Sequence, residues 1–285
     1  MLPAPVDPRA LLLAVLPAQE PAPASRADPS PSSAPAALAE IVEKAARAQF
    51  PDGREVGEVR DLSLTFDLVV RTEEGSSEVS AEHAFASSPD RVLTKVRDPS
   101  TDVVVTTGFD GGRYWVRDDK ATTYLEGREH RDAREEIDER VRLSRDLAAV
   151  FSVRRLVARL EGVRLLADET AEGRALAVLE GESAAFGPVR RAGVERVALR
   201  IRIDRERGDL FDVLATPLSK PGGDGPPPEA ERFRFYDFRR QDALRLPARI
   251  TVTLGASERP TYEIGRIRGV RLNPGLPKET FAPPR

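Results

Sequence analysis

From residue 61 to residue 71 apolar and polar residues alternate, with Val69 the one exception. Leu62, Leu64, Phe66, Leu68 and Val70 fall on one face, and Asp61, Ser63, Thr65, Asp67 and Arg71 fall on the other. A period of two belongs to a strand with one dry and one wet face. Shorter strand-like runs follow near 77–87, 91–98, 101–109, 113–118 and 121–125. Connections this short predict an antiparallel meander, because a parallel crossover needs a helix between its strands. Helical spacing appears twice. Leu38, Ile41, Val42, Ala45 and Ala46 recur at that spacing until Pro51-Asp52-Gly53 stops the run. Residues 128–160 contain neither Gly nor Pro, and Ala133, Ile137, Val141, Leu147, Phe151, Leu156, Val157 and Leu160 keep a helical period. The charged first half of that segment, "REHRDAREEIDER", is rich in opposite charges four residues apart and predicts a largely solvated surface.

Beyond Gly162 the strand pattern resumes with "RALAVLEGES". It is followed by "ERVALRIRIDRERGDLFDVLAT", where Val197, Leu199, Ile201 and Ile203 oppose Arg196, Arg200, Arg202 and Asp204 and "DRERGD" makes a hairpin turn. "SKPGGDGPPPEAE" reads as a loop excursion, and "RFRFYDF", "ARITVTLG" and "TYEIGRIRGVRL" as three further strands. The order helix, antiparallel strands, long helix, antiparallel strands predicts an α+β fold with helices covering one face of a large curved sheet.

With 285 residues, 40% of them hydrophobic, the chain can bury a sizeable core. A net charge of −3 gives no bulk electrostatic case for nucleic acid or an anionic membrane surface. The absence of Cys excludes disulfides, thiolate metal sites and a Cys nucleophile. At the N-terminus, Arg9, the apolar run Ala10–Leu16 and "LPA" ending at Ala18 form the pattern of a short secretory signal over residues 1–18; the plainer reading is an Ala/Pro tail. Residues 19–35 are rich in Pro, Ala and Ser and read as a tether.

Little in the chain suggests catalysis. Two histidines are present, His83 in "SAEHAFA" and His130 in "REHRD", and each reads as a surface or half-buried residue. No nucleophile elbow, zinc-helix, phosphate-loop or dinucleotide fingerprint occurs. No metal ligand set or cofactor motif is present, and no enzymatic activity is expected. "TTGFDGGRYWVRDDKATTY" at 106–124 carries a Gly pair, but the aromatic and β-branched run after it predicts a strand rather than the helix a phosphate loop requires. The one tryptophan, Trp115, shares a face with Arg113 and Arg117 in an extended strand. It reads as a half-exposed packing residue under stacked guanidinium groups. The alternative places it at the mouth of a cavity, with Arg113 offered to a headgroup or carboxylate.

Four pieces of this order resemble the periplasmic lipoprotein-carrier superfamily (LolA/LolB-like). They are the helix "LAEIVEKAARAQ", the hairpin "GFDGGRYWVRDD" through Asp110, Gly111, Trp115 and Asp119, the stretch "YDFRRQDALRLPARITVTL" through Tyr236, Leu244, Pro247 and Ile250, and the closing "LNPGLPKETFAPP" through Asn273, Leu276, Phe281 and Pro283. The resemblance implies an unclosed half-barrel over residues 36–285, wrapped round helices, with a lipid-sized concavity. The resemblance does not name a substrate; the first expectation is a non-enzymatic exported protein of the periplasm or cell envelope that binds or carries a lipid or the acyl chains of a lipoprotein. An envelope sensor or scaffold that binds a protein partner is the alternative. Leu64, Phe66, Leu68, Trp115 and Arg113 are the candidate ligand-lining residues.

Overall fold

A computed structural model describes residues 34–53, 59–72, 75–150, 152–184, 194, 196–218, 230–241, 244–255 and 262–283. The expected signal, residues 19–33 of the expected tether and residues 219–229 of the expected excursion lie outside the described residues. The tether's last two residues, Ala34 and Pro35, open a helix instead, and the excursion's last, Glu231, opens a strand. Helix α1 (Ala34–Gln49) leads into the meander β1 (Asp61–Thr72), β2 (Gly75–Ala86), β3 (Arg91–Arg97), β4 (Val104–Phe109), β5 (Tyr114–Arg117) and β6 (Thr122–Tyr124). Helices α2 (Arg131–Val150) and α3 (Val153–Ala158) follow. The remaining strands are β7 (Glu161–Leu165), β8 (Glu169–Ala171), β9 (Arg174–Ala184), β10 (Arg196–Asp204), β11 (Leu210–Leu218), β12 (Glu231–Tyr236), β13 (Arg239–Gln241), β14 (Leu244–Leu246), β15 (Arg249–Leu254) and β16 (Tyr262–Leu272). A 3-10 turn, Lys278–Phe281, comes last.

Fourteen strands form one antiparallel sheet, in the order β6-β5-β4-β3-β2-β1-β16-β15-β12-β11-β10-β9-β7, with β8 beside β9. The last long strand closes on the first, since β16 pairs with β1 and Leu64 faces Val270. The path ends at β6 on one side and β7 on the other, so the sheet is not closed. The chain passes between those two edges through α2 and α3. Helices α1 and α2 both pack on α3, and α1 contacts β7 while α2 contacts β3 and β4, in opposite halves of the sheet, so the unclosed sheet wraps round the helices as a half-barrel.

The inner face carries the core. In β10, Val197, Leu199 and Ile201 are completely buried, and the outward Arg196, Arg200 and Arg202 meet carboxylates instead. Arg196 reaches Glu161 at 2.6 Å and Glu182 at 3.2 Å, while Arg202 donates from Nε to Asp212 at 2.7 Å. The alternation of apolar and Arg residues therefore sorts a strand between a dry inner and a charged outer face. Four short strands were not anticipated. The β13–β14 hairpin buries Leu244 and Leu246 beside α1, and β7 and β8 flank β9. The strand expected from 101 begins at Val104, because Asp98 and Asp102 close a turn through a backbone bond of 2.9 Å.

Trp115 corrects the expectation of a half-exposed ring. It has no exposed surface, and its Nε1–H donates to the carbonyl of Phe281 at 3.1 Å. The cover comes from the chain's end. Phe281 is also completely buried, packed with Ala84 and Ala86 and roofed by the Arg91 guanidinium 5.2 Å from its ring centroid. Gly108, directly opposite Trp115, leaves the room for the indole, because a Cβ there would sit 2.5 Å from two of its ring carbons. Asn273 holds the same closing segment to the start of β1, its Oδ1 accepting from the N–H of Arg60 at 2.7 Å.

Candidate ligand-binding face

Strand register arranges the inner face of β1–β5 in rows that run across the strands. The first is Leu62, Phe85, Val92, Phe109 and Tyr114, and the second is Leu64, His83, Thr94, Thr107 and Val116. The third is Phe66, Ala81, Val96 and Val105, and a fourth begins with Leu68 and Val79. The second row is polar at its centre, between two apolar rows.

Helix α2 sits on the polar row. Its inward side carries Ile137 and Val141, both buried, and then Ser144, with no exposed surface, at helical spacing. Ser144 Oγ lies 2.7 Å from His83 Nε2, and Thr94 Oγ1 lies 3.0 Å from His83 Nδ1. Ser144 Oγ also donates to the Arg140 carbonyl at 2.6 Å. One hydroxyl carries one proton, so with that proton on the Arg140 carbonyl the network assigns the imidazole proton to Nε2. Nδ1 then accepts from Thr94. Arg140 bridges Thr107 and Glu136, and Tyr114 donates to Asp138 at 2.8 Å. Burial, together with the nearby Arg140 charge, lowers the His83 pKa to about 4, so the ring is neutral at pH 7. Burial, then the bond to Asp138, pushes the Tyr114 phenol up to about 12.

This cluster has the residue types of a Ser–His pair without its arrangement. A general base needs its acceptor nitrogen turned to the serine and a carboxylate behind the ring. Here Nε2 is the donor and a threonine stands behind Nδ1. No group of three His, Asp or Glu able to hold a metal occurs among the described residues. His83 is buried rather than at the surface, and Ser144 was not singled out from the sequence. The readable signal was a misfit on each side: a His in the inward row Val79, Ala81, His83, Phe85, and a Ser in the apolar stripe of α2.

The five candidate lining residues do not share a site. Leu64 is buried in the core, and Phe66 packs half-buried against it. Leu68 is half-buried in the fourth row. Trp115 lies in the ladder Ser63, Ala84, Leu93, Gly108, Trp115, which faces the other way. Arg113 is exposed beside it, 4.8 Å over the Tyr124 ring and 3.6 Å from Asp110. What the structure gathers on the inner face, past the polar row, is an apolar strip of Phe66, Leu68, Val96 and Val105. All four are half-buried, beside the buried Val79 and Ala81 of the same two rows. The hydrogen bonds of α2 to the sheet, among the described residues, reach the first and second rows and leave this strip outside them. Two shallow polar concavities of about 370 and 260 Å³ lie on the outer side, and neither includes the five candidates or Val96 and Val105.

No protein-family model matches the chain, and no curated protein sequence matches it. Solved structures are similar in fold. A LolA superfamily protein from Nitrosomonas europaea matches at TM-score 0.49 and 13% identity, over 86% of this chain and 97% of its own. An outer membrane lipoprotein-sorting protein domain from Vibrio parahaemolyticus matches at TM-score 0.46 and 13% identity, over 85% and 94%. MucB of Pseudomonas aeruginosa, solved in complex with MucA, matches at TM-score 0.20 and 12% identity, over 80% and 91%. All three scores lie below 0.5, so support for a function has to come from the side chains of this chain.

Proposed function

We propose that this chain is a non-enzymatic exported protein that binds or carries a hydrophobic ligand, a lipid or the acyl chains of a lipoprotein, inside the half-barrel. In this reading residues 1–18 direct export, 19–35 form a tether and 36–285 form the binding domain. The observation that carries it is the apolar strip. A strand face that is only half-buried is expected to turn polar residues to solvent, yet the third and fourth rows are Phe, Ala, Val, Val, Leu and Val. A polar row holds α2 in place beside this strip, so a ligand can lie along the strip without displacing the helix. An acyl chain fits such a strip because it asks for apolar area and no hydrogen bonds.

The reading is tested by isothermal titration with oleate. Val96→Glu places a carboxylate on the strip at a half-exposed position and is expected to weaken oleate binding by about tenfold or more. Thr65→Glu, on the outer face of β1, is expected to leave it unchanged. Trp115 emission should stay constant during the titration, since the indole is sealed on the other face. Equal oleate affinity in Val96→Glu and the wild type, with both folded by thermal melt, would place the ligand elsewhere.

A further inference from the structure

The smaller outer concavity, of about 260 Å³, lies where the β10–β11 turn and the β13–β14 hairpin meet the ends of β11 and β12. Four guanidinium groups line it: Arg174, Arg207, Arg234 and Arg245. Three of them have carboxylate partners: Arg174 lies 3.7 Å from Asp204, Arg234 pairs with Glu172, and Arg245 pairs with Asp209. The remaining lining carboxylate, Asp237, is taken by Arg249 at 3.3 Å. Arg207 is left over: no ion pair or hydrogen bond holds its guanidinium among the described residues.

The surroundings of Arg207 are rigid. Asp204 is buried, and its carboxylate accepts the N–H groups of Glu206 at 2.9 Å and Arg207 at 2.8 Å. Gly208, at φ +73°, packs the turn so tightly on α1 that a Cβ would sit 2.9 Å from the Lys44 carbonyl oxygen. Lys44 also donates its Nζ to the Arg205 carbonyl. The paired arginines are fixed by aromatic rings. Arg234 stacks between Phe211 at 5.0 Å and Tyr236 at 5.3 Å, and Arg245 stacks over Phe238 at 5.3 Å. Burial and the neighbouring Arg207 charge pull the pKa of Arg245 down, so the two cations repel each other across the pocket.

We propose that this pocket binds a phosphate group, with Arg207 as its principal contact and Arg245 and Arg234 as its preformed walls. One uncompensated guanidinium on a pinned turn, facing two more held in place, presents N–H forks to an anion that several arginines must share. The site lies on the outer side of the sheet and does not depend on the acyl-binding strip. The group can come from a soluble phosphate ester or from a lipid headgroup, and the chemistry is the same.

Titration calorimetry with inorganic phosphate at low ionic strength tests the proposal, using wild type, Arg207→Gln and Arg271→Gln. Arg207 and Arg271 are both exposed, so neither change should disturb the fold. Saturable binding that Arg207→Gln weakens by about tenfold or more, and Arg271→Gln leaves alone, is the expected result. Co-sedimentation with phosphatidylglycerol vesicles, run alongside glycerol 3-phosphate titration, then identifies the source. Loss of vesicle binding in Arg207→Gln points to a headgroup, and glycerol 3-phosphate binding without vesicle binding points to a soluble ester. Absence of saturable phosphate binding, or equal effects of the two substitutions, would overturn it.

Discussion

Trp115→Ala is expected to lower the stability of the fold by about 4 kcal/mol, within the range for truncating a fully buried large aromatic side chain. The indole has no exposed surface and spans two parts of the chain, the Gly108 strand and the closing segment at Phe281. Its removal opens a cavity and leaves the Phe281 carbonyl without its donor. Trp115→Phe keeps most of the packing and should lose mainly the hydrogen bond, about 1 kcal/mol. Phe281→Ala removes the other half of the contact and should cost about as much as Trp115→Ala. The two effects should not add, because the residues act on one interface. Urea denaturation of the singles and the double measures all of this. A cost below about 1 kcal/mol for Trp115→Ala would mean that the closing segment does not seal the ring in solution.

Acid should weaken the fold through His83. The ring titrates at about 4 in the folded protein against 6.5 for the ordinary group. The unfolded chain therefore binds a proton more readily than the folded one between these values. The contribution is complete above pH 6.5 and is lost as pH falls through the folded value near 4. A difference of about 2.5 pH units corresponds to roughly 3 kcal/mol at about 1.4 kcal/mol per unit. The groups that face the ring are Thr94 and Ser144, which hydrogen-bond it, and Arg140, whose charge opposes its protonation. Carboxylates also titrate near pH 4, so the useful quantity is the difference between wild type and His83→Gln over pH 7 to 4.5. The wild type should lose stability faster. Parallel curves would show that the imidazole is not buried under α2.

The parts of the fold that were readable from the sequence are those fixed by local period. The alternation of β1 and of β10 separates an inner from an outer face, broken only by Val69 and Ala198 on the outer side, and the spacing in α1 and α2 marks their buried stripes. The unreadable parts depend on partners far along the chain. Trp115 sits between charged neighbours and looks half-exposed, yet its cover arrives 166 residues later with Phe281. His83 and Ser144 are 61 residues apart, and each looks out of place until the other satisfies it. The candidate site failed to converge for a similar reason. Alternation within β1 groups Leu64, Phe66 and Leu68, and alternation within β5 groups Arg113 and Trp115. Only the register through β2, β3 and β4 shows that these groups face opposite sides. Several residues that carry the family resemblance, Trp115, Leu244, Asn273 and Phe281, prove to be packing and clamping residues, so the resemblance speaks to the fold more than to a ligand.

The central claim, a hydrophobic ligand on the inner strip, is tested most directly by native mass spectrometry of the full chain purified from the envelope of a membrane-containing host. The wild type is predicted to carry an added mass of a lipid or acyl chain, and Val96→Glu, folded by thermal melt, is predicted to fly without it. A wild type free of lipid but bound to a polypeptide, or a lipid retained in full by Val96→Glu, would contradict the account.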